Sequence, residues 1–232
     1  MLPEGRSGQH TDRLVPFFME IESTPPPPKA GVRQKLLDAA RSLIREKGYS
    51  STSVDELCIQ AGVTKGAFFH HFKSKEALAV AAANHWSDTT AILFGSAPYQ
   101  QHGDPLHRVL GYLDFRKKLL KGEIAEFTCL LGTLVQEIYG TNPEIREACE
   151  ASLSGHAATV EADIAQAMKH YRLRVPWTAK SLALHTQAVL QGAFVLAKAT
   201  GGAAIAAASI DHLRRYIELL FQPAIRKGKR TP

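Results

Sequence analysis

The chain has 232 residues, 45% of them hydrophobic, and a formal net charge of +6 at pH 7. That length holds a small domain plus one core of about 150 residues. No apolar run approaches the roughly 18 residues of a membrane helix. Cys58, Cys129 and Cys149 are odd in number and lack C-x-x-C spacing, which points to reduced thiols in a cytoplasmic protein and away from a disulfide framework.

Residues 1–28 end in four prolines, Pro25 to Pro28, and show no helical period, so they are expected to be disordered or extended. The apolar stretch Leu14–Ile21 is interrupted by Pro16 and Glu20, unlike a secretory leader, and Met19 is an alternative start. The first helix follows: Val32, Leu36, Leu37, Ala40, Leu43 and Ile44 keep a 3.6-residue stripe that Gly48 ends.

Ser53 and Glu56 then form an S-x-x-E capping box for a helix over 54–61, with Leu57 and Ala61 facing inward. Gly62 stands where a left-handed residue is wanted, and Val63 plugs the turn into the core. Thr64 is an N-cap for a helix starting at Lys65. Phe68 and Phe72 share its buried face, which leaves Thr64, Lys65, Gly66, Phe69, His70 and His71 exposed, with Lys73 and Lys75 as a basic exit. Gly66 costs roughly 1 kcal/mol against Ala in a helix. One reason to tolerate it is close approach of the backbone to a phosphate or base edge. Two short helices joined by a turn of three or four residues are the plan of a helix-turn-helix reader of duplex DNA.

Downstream the pattern is helix after helix. Ser74 caps one that runs to about Leu93, and Asp104-Pro105 and Asn142-Pro143 are N-cap plus proline starts. Gly122 and Gly140 mark stops, or Gly122 a kink within a helix. The expected spans are 105–120, 124–139 and 143–171, then one from Thr178 to about Thr200 and a last one over 204–221. Lys and Arg outnumber Asp and Glu between Lys29 and Lys75 and again in the tail (Arg226, Lys227, Lys229, Arg230), and the rest is mildly acidic. A basic reader on an acidic body is the footprint of a DNA-binding module.

From Arg33 to Leu78 the chain resembles the DNA-binding domain of the TetR/AcrR family of bacterial transcriptional regulators. The matching residues are Leu36-Leu-Asp-Ala-Ala-Arg-Ser-Leu-Ile44, Gly48-Tyr49, Thr52-Ser-Val-Asp-Glu-Leu57, Ala61-Gly-Val-Thr-Lys-Gly66 and Phe69-His-His-Phe-Lys-Ser-Lys-Glu-Ala-Leu78. The resemblance implies an all-α protein. An N-terminal three-helix helix-turn-helix domain (29–75) would follow the 1–28 segment and precede a helical ligand-binding and dimerisation domain (76–222) and a basic tail (223–232). It further implies a homodimer on a palindromic double-stranded operator, and a repressor released by a small, largely apolar effector.

By position in the resemblance, Thr64, Lys65 and Gly66 reach base edges and phosphates, and Phe69 and His70 lie on the same side. His71 and Lys75 are expected on phosphate, with Thr52 or Ser53. Many relatives carry Tyr where Phe69 stands, so the hydroxyl contact is lost here. The last two helices are expected to pair with their two-fold mates through Ile210, Leu213, Ile217 and Leu220, at heptad-like spacing, and through Leu182, Val189, Gly192, Ala193 and Leu196. Candidate effector-lining residues are Trp86, Leu113, Phe127, Cys129, Leu130, Leu134, His156, His185 and Phe194. Cys129 reads as a structural thiol, with a reactive sensor as the alternative.

His156 and His185 are not spaced as a metal pair on one helix, and neither metal nor cofactor is expected. Nucleophile-elbow, Walker, G-x-G-x-x-G and H-E-x-x-H motifs are missing, which argues against an enzyme. The rival is a DNA-binding protein of the same fold controlled by a protein partner or acting architecturally. A large dry cavity would favour the effector reading, and a filled core with an exposed apolar patch the rival.

Overall fold

Capping side chains start six of the ten α-helices in the computed structural model, which describes residues 31–228. The 1–28 segment and the end of the basic tail lie outside the described residues. Helix α1 (Val32–Lys47) stops at Gly48, whose φ of +93° favours glycine. The capping box forms as expected at α2 (Val54–Ala61): the Glu56 amide donates to the Ser53 hydroxyl at 3.2 Å, and the Ser53 amide donates to the Glu56 carboxylate at 2.9 Å. Gly62 ends α2 in the left-handed conformation, φ +62° and ψ +43°. Thr64 and Ser74 cap α3 (Lys65–His71) and α4 (Lys75–Gly95), accepting from the Ala67 and Ala77 amides.

A 3-10 turn at Pro98–Gln101 leads to α5 (Pro105–Lys118), capped by Asp104. Then come α6 (Ile124–Phe127), α7 (Leu130–Ile138), α8 (Pro143–His170), α9 (Ala179–Thr200) and α10 (Ala204–Gly228). No strand occurs among the described residues. Three expectations are corrected. The single helix over 124–139 breaks at Thr128 and Cys129, both extended, giving α6 and α7. Gly122 is no kink within a helix: at φ +76° it turns the chain before α6. The last helix runs past 221 into the basic stretch as far as Gly228.

Two apolar clusters form the interior. One joins α1–α4 to α7 and the start of α8: Leu36, Leu57, Phe68 and Leu78 pack with Leu130, Leu134 and Ile145, all at most 1% exposed. The other joins α5, the end of α8, α9 and α10 through Leu113, Ile164, Leu190, Ile210, Ile217 and Phe221. The expected division near residue 75 is therefore no packing boundary, because reader and body share the first cluster. Helix α8 has 28 residues, about 42 Å at 1.5 Å per residue, and serves both: Ile145 and Cys149 belong to the first cluster, Val160 and Ile164 to the second. Its middle, Ser152 to His156, falls between them.

Candidate nucleic-acid interface and ligand cavity

Helix α3 divides its side chains cleanly. Phe68 is 0% exposed and packs edge-on to Phe69 and obliquely on Phe72, which anchors the helix. Thr64, Lys65, Gly66, Phe69, His70 and His71 are all exposed, Phe69 at 51%. A side chain at Gly66 would meet nothing closer than 3.9 Å, so no packing demand accounts for glycine there. Lys65 pairs with Asp55 of α2 at 2.8 Å, and that carboxylate raises the ammonium pKa. The pair is open to water on both sides, so a stronger anion can displace Asp55.

Two residues expected on phosphate point elsewhere. Thr52 is 1% exposed and donates its hydroxyl to the Gly48 carbonyl at 2.7 Å. Lys75 donates to the Tyr49 and Thr52 carbonyls at 3.1 and 3.0 Å and lies 4.2 Å from the Tyr49 ring centre. Both hold the loop between α1 and α2. Lys73, two residues earlier, is exposed and is the cation that end of α3 offers. Ser53 is exposed, with its hydroxyl engaged by Glu56 at 2.8 Å.

The loop is also tied to the body. Glu137 on α7 accepts the Tyr49 and Ser50 amides at 3.0 and 2.9 Å. Nearby, Arg45 of α1 is 8% exposed and its guanidinium lies 4.9 Å from the Trp86 ring centre. Burial, then repulsion from Arg41, lowers its pKa to about 10.

Trp86 is a wall of a partly open cavity of about 40 Å³ between the two apolar clusters. Of the expected lining residues it gathers Trp86, Phe127, Cys129, His156 and Phe194. Leu113, Leu130 and Leu134 are 0% exposed core and do not line it, and His185 lies on the outer side of α9. The sequence reading missed Thr90, Phe94, Arg116, Thr128, Leu131, Ser152, Leu153, Gln187 and Gln191. A signal was available for some of them. Arg116 continues the buried stripe Leu106, Val109, Leu113, and Gln187 interrupts Ala183, Leu190, Phe194. Polar groups on apolar stripes must meet partners inside.

They meet each other. Arg116 donates to the Tyr112 hydroxyl at 2.9 Å and to His156 Nε2 at 2.9 Å, and Gln187 donates to the Tyr112 hydroxyl at 3.2 Å. The Phe94 and Tyr112 ring centres lie 4.3 and 5.3 Å from the guanidinium. Burial, then Arg116, lowers the His156 pKa to about 3, so its Nε2 is an acceptor at neutral pH. Cys149, outside the cavity, is a buried thiol raised to about 12 by burial, then by Cys129.

The expected dimer seam is also corrected. Ile210, Leu213 and Ile217 are at most 3% exposed and, with Leu182 and Ala193, pack inside their own subunit. Gly192 and Leu196 do face outward, and Val189 and Leu220 are half-buried. The outer face of α9 and α10 adds Leu184, Val195, Tyr216 and Leu219, between 45% and 60% exposed.

An exposed reader helix beside a capped partner helix, carried on a helical body with a small cavity, defines a helix-turn-helix protein with a second helical domain. Residues 36–82 match the family model for bacterial regulatory proteins of the tetR family, and residues 105–227 match the tetracyclin repressor-like C-terminal domain. The chain belongs to the TetR family. It is 56% identical over 45 residues to the Transposon Tn10 TetC protein of Escherichia coli, a match covering 19% of this chain and 23% of that protein. A TetR-family transcriptional regulator from Agrobacterium tumefaciens shares the fold with a TM-score of 0.72 at 22% identity, over 80% of this chain and 96% of that one. The transcriptional regulator FadR from Bacillus subtilis, solved in complex with stearoyl-CoA, does so with a TM-score of 0.65 at 16% identity, over 81% and 97%.

Proposed function

We propose that this chain is a sequence-specific DNA-binding transcriptional regulator, a homodimeric repressor that leaves a palindromic operator when a small molecule enters its helical domain. The observation that carries this reading is the exposed face of α3, where Thr64, Lys65, Gly66, Phe69, His70 and His71 stand open to solvent on a helix anchored by Phe68. Thr64, Lys65 and Gly66 would meet base edges and phosphates, with Phe69 and His70 beside them, and His71, Lys73 and Ser53 on phosphate. The outer face of α9 and α10 would bring two readers about one helical turn, 34–36 Å, apart.

Effector control is supported by the cavity between the clusters, since Trp86 forms its wall and also stacks on Arg45 of the reader. An effector need only favour one reader spacing, by a coupling of about 1–3 kcal/mol. The solved FadR complex supports a ligand within this fold. The cavity is small and partly polar and the apolar patch on α9 and α10 is exposed, so partner control is the second reading; a two-fold mate is the occupant we assign to that patch.

Selection of bound duplexes from a random pool by the full-length protein tests the conclusion. Enrichment of a palindrome with half-sites about one turn apart supports it. Salt-sensitive binding without any enriched sequence would mean phosphate contacts alone and an architectural role.

A further inference from the structure

We propose that the cavity is a carboxylate site: it takes a small monocarboxylate with a short apolar body, whose anionic head sits against Arg116. The proposal deepens the effector reading above and rests on it for its regulatory meaning.

The charge inventory of the cavity is one-sided. Its walls contain one cation, Arg116, and no aspartate or glutamate. Among the described residues no carboxylate lies within ion-pair distance of Arg116, although Arg108, Lys117 and Arg214 nearby are each paired. The groups that meet the guanidinium are neutral: the Tyr112 hydroxyl, His156 Nε2 and the rings of Phe94 and Tyr112. A half-buried cation held only by neutral partners is costly to keep, and a carboxylate in the same space removes that cost. Guanidinium carries five N–H donors, of which two are directed to Tyr112 and His156, so donors remain for ligand oxygens in a forked geometry.

A second observation points the same way. Thr128 is 1% exposed, lines the cavity, and its hydroxyl has no hydrogen-bond partner. It sits at the break between α6 and α7, where the chain leaves helical geometry on the cavity wall. A buried hydroxyl left unpaired is costly, and a ligand acceptor oxygen would satisfy it. The apolar remainder would lie against Phe94, Phe127 and Phe194. At about 40 Å³ the space takes roughly three water positions, so an acid about the size of acetate fits as it stands and a longer body requires the aromatic walls to move.

The test uses full-length protein and matched probes: acetate, butanoate, hexanoate and benzoate, each against its primary amide, at constant ionic strength. Binding is read by calorimetry, and operator release on the duplex selected above. At least one acid should bind saturably and its amide about ten- to a hundredfold more weakly. Arg116→Gln should lose that preference and Arg116→Lys keep part of it. Amides binding as well as acids, no acid binding, or unchanged acid affinity in Arg116→Gln would each overturn the proposal, and the acid–amide comparison needs no variant to fold. Tight acid binding without any effect on the operator would uphold the site and overturn effector control. Operator release by a neutral apolar probe alone would do the reverse.

Discussion

The Glu137 carboxylate accepts the Tyr49 amide at 3.0 Å, tying helix α7 of the body to the loop ahead of the reader's second helix. The other carboxylate oxygen takes the Ser50 amide at 2.9 Å. Helix α7 starts just after Thr128 and Cys129 on the cavity wall, so Glu137 is one link between that wall and the reader, beside the Trp86–Arg45 contact and the shared apolar cluster.

Glu137→Ala should therefore cost about 1–3 kcal/mol in urea unfolding, since it leaves two loop amides without their acceptor, and should weaken the effect of any effector on operator affinity. Gly48 adds an internal control. A Cβ there would approach Glu137 Oε1 to 2.4 Å, and its φ is +93°. Gly48→Ala should cost more with Glu137 present than in the Glu137→Ala background, where the strained φ alone remains. Equal costs in both backgrounds would show that the contact is irrelevant.

The lysines of the reader should separate into three behaviours. Lys65→Ala is expected to change which sequences bind. Lys73→Ala should weaken all duplexes alike and reduce the salt slope by about one. Lys75→Ala should lower stability by about 1–2 kcal/mol, because the Tyr49 and Thr52 carbonyls lose their donor. Binding isotherms at four salt concentrations, with a melt for each variant, would resolve them. A reduced salt slope for Lys75→Ala at unchanged stability would reverse this assignment.

Assembly should depend on the outer face of α9 and α10. Leu196→Glu, at a side chain 47% exposed in one subunit, should yield folded monomer by light scattering at micromolar concentration. Ile217→Glu, at a fully buried position, should unfold the chain instead. A Leu196→Glu protein that stays dimeric would move the interface elsewhere.

Acid should loosen the cavity through His156. Its folded pKa of about 3 lies below the ordinary unfolded value near 6.5, so the unfolded state binds the extra proton between those limits. The stabilisation is complete above about pH 6.5 and declines as pH falls toward 3, by at most about 1.4 kcal/mol per pH unit. Replacing His156 with Gln should flatten that part of the stability profile. A slope identical to that of the unmodified protein would assign it to other groups.

The capped helices were legible because their signals are local. Ser53 with Glu56, Gly62, Thr64, Ser74 and Asp104 each act within a few residues of themselves. The helix break at Thr128 was not, since Ile124 to Ile138 keeps a continuous apolar pattern and the break depends on what surrounds Thr128. The direction of the α10 stripe was equally hidden. Ile210, Leu213 and Ile217 form a seam that suits a partner helix of the same subunit or of another, and spacing does not distinguish the two.

The sequence by itself determined an all-α chain, the helix-turn-helix and the exposed face of α3, because caps and 3.6-residue stripes are encoded between near neighbours. Only the tertiary structure decided that Lys75 and Thr52 serve the loop, that α10 turns its seam inward, and that Arg116, Thr128, His156 and Gln187 meet in one cavity. Those residues lie on α5, α8, α9 and the break before α7, and their meeting depends on how long helices cross, which no local pattern specifies.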